Sequence, residues 1–548
     1  MKTAGAALVF VAVSVSAAVA LAFPFGGLSC GIAWTAFAIG LVAAVPAWRG
    51  IRPQDPQMPT AWDVLLLTVF ALASLRAFLW LIYPVGDEWR VLSPNNLGDL
   101  SKHIQLIRYL ANGAPFWPES PFFSGASLNY YFGTDLFNSL LLCLGVPLEK
   151  GLLWCGLGGA ALAAFALWHF GGAFGLAALL FNGGLAGFLI FQTGQPGDFQ
   201  AELAWKNFFL SMFVTQRALL YALPATLFLL SAWRGEFFRE GSGVPRWVTW
   251  GIYASMPVFS LQAFAFLSLV LAAIFICRPG ARKRLLAFVA PAIPPATVFV
   301  ILITNRFTQE SGLHWHPGWM QGGEDWVLWL KEKGWGDLPS PVRSLLFWTI
   351  NFGISLPLLG LLGWKAFRSR DPELASFAGT GLLVFFLSCF FRFAPWDWDN
   401  TKFFLWAWLA CAPYLWSLIS AWPKIARIIV CFFLFFSGAV SLVGGLDGRH
   451  GYKLVGRSEL AGTQSALATV PLMDRIATEP IHTNPVILLG RPVVCGYEGM
   501  LWAHGLNYQN KFQDLKDVLA GKDPGNRKAR DIRADWIFVA GRVPVKVQ

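Results

Sequence analysis

The chain has 548 residues, of which 56% are hydrophobic and only 13% are charged. The charged share is about half that of an ordinary soluble domain, and a water-soluble protein of this length has no core able to bury so much apolar surface. The composition therefore excludes a soluble globular protein and indicates one embedded in lipid. The 27 Trp and 48 Phe agree with this, because Trp favours the headgroup level of a membrane.

The formal net charge of +11 comes largely from short basic clusters between apolar runs. Such clusters are typical of the cytoplasmic loops of multispanning proteins. They account for most of the positive excess, so no nucleic-acid partner is predicted. The eight cysteines show no CxxC pair or metal-ligand spacing, and we expect no disulfide framework. The basic clusters are Arg49 and Arg52; Arg278, Arg282, Lys283 and Arg284; Lys365, Arg368 and Arg370; and Lys424 and Arg427.

Apolar runs long enough to cross about 30 Å of hydrocarbon follow one another through residues 1–444. With two passes in 151–195 they predict an all-α polytopic bundle of 13 transmembrane helices, with the N-terminus inside and the C-terminus outside. The first run is equally compatible with a cleaved signal peptide. The runs lie near residues 4–22, 31–48, 61–84, 131–147, 151–195, 209–233, 247–277, 284–304, 343–364, 372–391, 403–421 and 425–444.

An alternative helix count gives about 15 short elements. It divides residues 151–195 into three helices and breaks residues 247–277 into a hairpin near Pro257. This version turns Arg234, Arg239 and Arg246 to the cytoplasm, as the charge rule prefers. Both versions leave residues 85–130 and everything after residue 445 outside.

Residues 445–548 differ in kind from the apolar runs before them. They contain short β-like runs at Pro485–Leu489 and Trp536–Ala540 and an amphipathic stretch near 507–520. These features predict a small α/β domain on the outer face, after a membrane domain that ends at residue 444.

The outer loop 85–130 carries acidic residues beside the membrane. Asp87 and Glu88 open it, and Asp99 and His103 follow on a stretch whose pattern predicts an amphipathic helix over 99–112. Asp99 and His103 lie one turn apart, so we expect them to face the same ligand. The alternative for Asp99 is a helix N-cap.

Polar residues that border later spans are further candidates for binding a substrate. Tyr130, Tyr131 and Asp135 end the outer loop and enter the next apolar run. Arg217 begins a later apolar run, after Trp205-Lys206-Asn207, and either snorkels or offers its guanidinium to a lipid phosphate. In the tail, Arg491 and His504 lie in loops that we expect to cover an acceptor site.

A second constellation lies between two spans on the predicted outer side. Asp397 and Asp399 have the spacing to share a divalent cation such as Mg²⁺ or Mn²⁺, and Lys402 is suited to neutralise a phosphate, with Asn400 beside it. The alternative is an interfacial turn with an internal Asp–Lys pair.

These motifs together resemble the C-type glycosyltransferase superfamily, whose multispanning members use polyprenyl-phosphate-linked sugars. They are also similar to a group of uncharacterised bacterial membrane proteins. The motifs are Gly98-Asp99 through His103, Trp398-Asp399-Asn400-Thr401-Lys402 and Asn484-Pro485 with Gly490-Arg491-Pro492 and Gly496-Tyr497.

The resemblance implies an enzyme of the bacterial inner membrane that moves a sugar from a polyprenyl-phosphate carrier to an extracytoplasmic glycan, lipid or protein. It also implies a catalytic first-loop carboxylate, which corresponds best to Asp99, with Asp87 and Glu88 as rivals. The alternatives are a transporter or flippase of a lipid-linked saccharide and a non-catalytic partner in cell-envelope assembly.

Overall fold

The computed structural model describes residues 1–52, 58–93, 95–239, 241–305, 313–394, 397–447 and 451–547, without the side chains of Asn95, Asp325, Asp397 and Trp398. Most of residues 1–447 is helical. In chain order the elements are α1 (Lys2–Phe25), α2 (Cys30–Gly50), α3 (Ala61–Leu79), β1 (Tyr83–Val85), β2 (Glu88–Val91), α4 (Asn95–Ala111), α5 (Gly133–Cys143), α6 (Leu148–Leu180), α7 (Ile190–Thr193), α8 (Leu219–Phe238), α9 (Arg246–Phe259), α10 (Leu261–Cys277), α11 (Arg282–Val289), α12 (Ile293–Ile303), β3 (His314–Trp315), α13 (Glu324–Glu332), α14 (Ser340–Phe352), α15 (Ser355–Ser369), α16 (Pro372–Leu374), α17 (Thr380–Phe390), β4 (Phe391–Arg392), α18 (Asp397–Ile419) and α19 (Lys424–Gly445).

Shorter elements follow in residues 451–547. They are β5 (Tyr452–Gly456), α20 (Arg457–Ala466), β6 (Ile476–Ala477), α21 (Pro485–Leu488), α22 (Glu498–Ala503), α23 (Gln509–Leu519), α24 (Arg527–Asp531), β7 (Trp536–Ile537) and β8 (Val545–Lys546). Single turns of 3₁₀-helix lie at Ala186–Leu189, Pro279–Ala281, Ala290–Ala292 and Pro524–Asn526, and π-helical turns at Phe209–Phe213 and Ala375–Gly379.

Within the described residues, eight helices are long and apolar enough to cross a membrane. The number becomes nine if α14 and α15, which meet at an angle of 80°, form one span. The chain is therefore built as a multi-pass membrane protein, but the predicted count of 13 is not confirmed. The eight are α1, α2, α3, α6, Pro279–Ile303, Pro372–Phe390, Asp399–Ile419 and α19.

The predicted span at 131–147 is wrong. Its helix, α5, has only 11 residues, or about 16 Å at 1.5 Å per residue, which is half the thickness of the hydrocarbon. The next helix, α6, runs antiparallel to α3: Gly156 lies against Phe78 near the end of α3, and Gly172 lies near Asp63 at its start. Both α5 and the beginning of α6 therefore lie at the end of the bundle where α3 finishes.

The opposite end of the bundle is defined by basic residues, and we call it the basic end. Glu236 at the end of α8 pairs with Arg284 at 2.6 Å and Arg246 at 4.0 Å. The backbone N–H of Arg52 donates to the carbonyl of Gly243 at 2.8 Å. The end at which α3 finishes is called the site end below.

Residues 247–277 form a hairpin, as the alternative count predicts. The helices α9 and α10 are separated at Ser260, whose hydroxyl accepts a hydrogen bond from the N–H of Ala263 at 3.2 Å. The hydroxyls of Tyr253 and Ser268 lie 2.8 Å apart across the hairpin. The two helices therefore run antiparallel.

The segment after residue 451 packs onto the loop between α3 and α5. Strand β5 adds to the β1–β2 hairpin in an antiparallel sheet, in which Trp89 pairs with Val455. The amphipathic stretch is confirmed as α23. The predicted strand at Pro485–Leu489 is wrong, because its first four residues form α21. Pro485 takes the first helical position and the Asn484 side chain caps the N–H of Val486 at 2.9 Å, which favours a helix start.

Candidate functional site

The helix α4 positions Asp99 at the site end. It begins at Asn95, so Asp99 lies within the first turns and is not the N-cap. The Asp99 carboxylate lies 3.4 Å from the Lys102 ammonium and accepts a hydrogen bond from the Gln216 amide at 2.8 Å. The side chain remains 24% exposed, so a ligand can reach it.

A stacked pair of tyrosines lies beside this carboxylate. The rings of Tyr130 and Tyr131 are 4.6 Å apart, and the Lys102 ammonium lies 4.7 Å from the centre of the Tyr130 ring. Cation–π contact of this kind holds an ammonium against an apolar face while its protons stay available.

The beginning of α18 supplies a second lysine on the other side of the tyrosine pair. The Lys402 ammonium is 2.6 Å from Asp399 and donates to the Tyr131 hydroxyl at 3.4 Å. Two Asp–Lys pairs thus flank Tyr130 and Tyr131. We call these six residues, Asp99, Lys102, Tyr130, Tyr131, Asp399 and Lys402, the lysine–tyrosine cluster.

His504 reaches the cluster from the end of α22. Its ring centre lies 5.4 Å from that of Tyr130 and 5.3 Å from that of Phe122. Burial, followed by the charge of Lys102, lowers the pKa of His504 to about 3. The imidazole is therefore neutral near pH 7. One of its ring nitrogens is a hydrogen-bond donor and the other is an acceptor.

The surroundings of Lys102 keep its ammonium charged. Burial by itself lowers the pKa of Lys102, but the negative charges of Asp99, Asp399 and Asp135 raise it above its ordinary value. Burial also raises the pKa of Tyr130 well above its ordinary value, so that this phenol stays protonated. The arrangement offers ammonium protons to an anion and one accessible carboxylate to a proton donor.

His103 does not face the same space as Asp99, and that expectation is wrong. Its side chain is 1% exposed, and its Nδ1 lies 2.8 Å from the buried Asp135 carboxylate. The helical turn between them directs Asp99 to Gln216 and His103 to α5. Arg217 is also 1% exposed; its Nη2 donates to the carbonyl of Leu152 at 3.5 Å, and it interacts electrostatically with Asp135.

Asp87 and Glu88 interact with residues outside the lysine–tyrosine cluster. Both Asp87 oxygens accept hydrogen bonds from Ser458 at the start of α20, and these bonds lower the pKa of Asp87. Glu88 pairs with Arg90 at 3.2 Å and Lys453 at 3.8 Å. Among the described contacts, none joins either residue to the lysine–tyrosine cluster.

Two further candidates have partners that belong to the fold. The buried Arg491 guanidinium donates to the carbonyls of Val470 at 3.0 Å and Pro471. The Asn400 amide oxygen accepts from the N–H groups of Phe393 and Ala394 before α18, and its nitrogen donates to the carbonyl of Ala394 at 3.1 Å.

The structure describes only one of the two side chains of the predicted metal site, because the Asp397 side chain lies outside the described residues. Asp399 is already neutralised by Lys402. No group of three His, Cys, Asp or Glu side chains suited to a metal occurs among the residues described.

Three contributors were missed in the sequence: Lys102, Gln216 and Phe122. Lys102 had a signal, since it follows Asp99 by three residues on a predicted helix, where opposite charges meet. Gln216 and Phe122 had none, because each lies far along the chain from its partner.

No protein-family model and no curated protein matches the sequence. Among solved structures, archaeal oligosaccharyltransferase AglB from Archaeoglobus fulgidus in complex with an inhibitory peptide and a dolichol-phosphate is similar, with 12% identity, 87% of this chain and 69% of that chain covered, and a TM-score of 0.43. The apo form of the A. fulgidus oligosaccharyltransferase gives 11% identity, the same coverage and a TM-score of 0.45.

Proposed function

We propose that this chain is a membrane glycosyltransferase that moves a sugar from a polyprenyl-phosphate carrier to an extracytoplasmic acceptor. The observation that carries the proposal is the lysine–tyrosine cluster, which combines two ammonium groups and an accessible carboxylate at one end of an apolar bundle. The two ammonium groups are suited to bind a phosphate, and the carboxylate is suited to take the proton of an acceptor hydroxyl.

The orientation of the bundle supports a lipid-linked donor. Arg52, Arg246 and Arg284 gather at the basic end, which the positive-inside rule assigns to the cytoplasm. The lysine–tyrosine cluster then faces outside, as does the segment after residue 451. Nucleotide sugars are cytoplasmic, so a sugar used at the outer face arrives on a lipid.

The proposed reaction is a displacement at the anomeric carbon. The acceptor oxygen forms a bond to that carbon while the bond to the phosphate oxygen breaks, and the electron pair leaves with the phosphate. Asp99 takes the proton of the acceptor hydroxyl as a general base. An ammonium has three N–H donors. Lys102 uses one on Asp99, and Lys402 uses one on Asp399 and one on Tyr131. The donors that remain stabilise the charge that develops on the phosphate.

The remaining predicted residues receive other roles in this proposal. Arg217, held beside Asp135 behind the cluster, adds positive potential without touching the donor. His504 lies over Tyr130 and covers the acceptor side. A divalent cation at Asp397 and Asp399 requires Lys402 to release Asp399.

The test is sugar transfer from a labelled polyprenyl-phosphate donor by the purified full-length protein. Asp99→Asn keeps the shape and the Gln216 contact but removes the base, so we expect the rate to fall by about 10²–10⁴-fold. Glu88→Gln is the matched control, since Glu88 pairs with Arg90 and Lys453 instead, and it should retain transfer. Full activity of Asp99→Asn removes that residue from catalysis.

The purified protein also serves to distinguish sugar transfer from the rival function, transport of a lipid-linked saccharide. Proteoliposomes loaded with the donor on one side should show sugar transfer to an added acceptor. Movement of the intact donor across the bilayer without transfer contradicts the proposal.

A further inference from the structure

A polar cavity of about 280 Å³ opens in the segment after residue 451, away from the lysine–tyrosine cluster. Its volume is close to the lower end of the range for small-molecule sites, about 300–1,000 Å³. The cavity lies between β5, α20 and residues 478–485. Its lining includes Glu459, Thr463, Thr478, Glu479, Thr483 and Phe538.

Three threonine hydroxyls in this lining have hydrogen-bonding capacity to spare. The Thr478 hydroxyl accepts from the Asn484 amide at 3.1 Å, which leaves its own proton to donate. In the part of the chain that the structure describes, no residue hydrogen bonds to the hydroxyls of Thr463 or Thr483. Thr463 and Thr478 are only 8% and 3% exposed, and a hydroxyl in so enclosed a position is stabilised by a partner.

Acidic residues at the cavity decide which partner suits it. Glu479 is exposed at the rim, and Glu459 uses one oxygen on the N–H of Gly456 at 3.4 Å. The one cation in the lining, Lys453, is drawn to Glu88 at 3.8 Å. Carboxylates accept hydrogen bonds from hydroxyl groups and repel phosphates. A ligand with many hydroxyls and no negative charge therefore fits.

An apolar side of the lining completes the match. Phe538 and Ile481 lie among the polar residues, and a pyranose ring presents an apolar C–H face together with hydroxyls on its edge. Aromatic and aliphatic surface with a few placed polar groups is the usual make-up of small-ligand sites.

The cavity is joined to the proposed transfer site through one short helix. Asn484 caps α21 on the cavity side, and α21 packs against α4, which carries Asp99 and Lys102. The Gln105 amide on α4 also donates to the carbonyl of Arg491 just after α21, at 3.0 Å.

We propose that this cavity binds one neutral sugar residue of the acceptor, which is therefore a glycan. The inference that the bound sugar belongs to the acceptor rests on the proposed function. The binding of a sugar in this cavity does not depend on the proposed function. The sugar-binding residues are Thr463, Thr478 and Glu479, which hydrogen bond to ring hydroxyls.

The test measures binding of methyl glycosides to the full-length protein in detergent by saturation-transfer NMR. The probes are the methyl glycosides of glucose, galactose, mannose and N-acetylglucosamine, with glycinamide as a cationic probe without a sugar ring. Thr463→Val conserves volume and removes only the hydroxyl, and Glu479→Gln removes only the charge. Glu332→Gln is the matched control, because Glu332 is exposed on α13 outside the cavity.

We expect saturable binding of at least one glycoside by the wild type and by Glu332→Gln, weakened about tenfold or more in each cavity variant. The absence of saturable glycoside binding overturns the proposal. Unchanged binding in Thr463→Val and Glu479→Gln also overturns it, as does binding of glycinamide alone.

The same variants separate this inference from the proposed function. Asp99→Asn should lose transfer and still bind the glycoside. Glycoside binding by a wild type that transfers no sugar refutes the transferase and supports the cavity as a sugar site. Sugar transfer without glycoside binding supports the transferase and refutes the cavity.

Discussion

The two lysines of the lysine–tyrosine cluster are held with different firmness by their aspartates. Lys402 lies 2.6 Å from Asp399, whereas Lys102 lies 3.4 Å from Asp99. Asp99 also shares its charge with a neutral amide, Gln216. The Asp99 carboxylate is therefore less strongly paired with a lysine than the Asp399 carboxylate. This weaker pairing is the physical reason for proposing Asp99 as the base.

His504 carries the clearest pH-dependent prediction at the scale of single residues. Its pKa of about 3 in the folded protein lies below its ordinary value of 6.5. The unfolded chain therefore binds this proton at a higher pH than the folded chain. The stability is fully present above pH 6.5 and is lost as the pH falls from there toward 3.

We expect the thermal midpoint of the wild type in detergent to fall between pH 7 and pH 5 by more than that of His504→Gln. Differential scanning fluorimetry at matched ionic strength measures the difference. His316→Gln, an exposed histidine on the loop after β3, is the control and should follow the wild type. A wild-type curve parallel to that of His504→Gln contradicts the assignment.

The position of Gln216 and Arg217 depends on how closely α6 and α8 approach. A Cβ added at Gly159 on α6 would lie 2.8 Å from the backbone oxygen of Leu220 near the start of α8. Small residues at such positions let membrane helices pack at short distance. The neighbouring Gly158 meets nothing within 4 Å, so the two glycines form a matched pair.

At the scale of these elements, Gly159→Leu should destabilise the protein by about 1–3 kcal/mol through overpacking. It should also lower sugar transfer, since α8 begins directly after Gln216 and Arg217. Gly158→Leu should leave the thermal midpoint and the transfer rate near wild type. Equal effects of both substitutions would show that the contact between α6 and α8 does not position the site.

The molecule as a whole is polar at both ends and apolar between them. The basic end joins Arg246 and Arg284 through Glu236, and Arg234 pairs with Glu373 in α16. The site end carries the lysine–tyrosine cluster and the segment after residue 451. This separation of charge is the basis of our proposal that the cluster faces the outer side of the membrane.

Cysteine labelling of intact cells tests that orientation. In a background with the exposed Cys30 changed to Ser, Asp531→Cys in α24 should react with a membrane-impermeant maleimide. Arg368→Cys near the basic end should react only after the cells are opened. The reverse order of labelling contradicts the orientation and with it a lipid-linked donor.

The membrane embedding and the helix α4 were predictable from the sequence, and the hairpin of α9 and α10 was one of the two alternatives for residues 247–277. These features depend on composition and on periodicity between near neighbours. The boundary of a short element was less predictable: α5 was predicted as a span because hydrophobicity by itself does not show where a helix ends. α21 was predicted as a strand because a short apolar run fits either state.

The sequence by itself determined that this protein lies in a membrane and that its acidic motifs flank apolar helices. Only the tertiary structure decided which of those motifs meet. Asp99 meets Gln216, Tyr131 meets Lys402 and Tyr130 meets His504 across long stretches of chain, while Asp87 and Glu88 turn to another surface. The reason is physical: local periodicity fixes the face of a helix on which a residue lies, but the packing of distant helices fixes what that face meets.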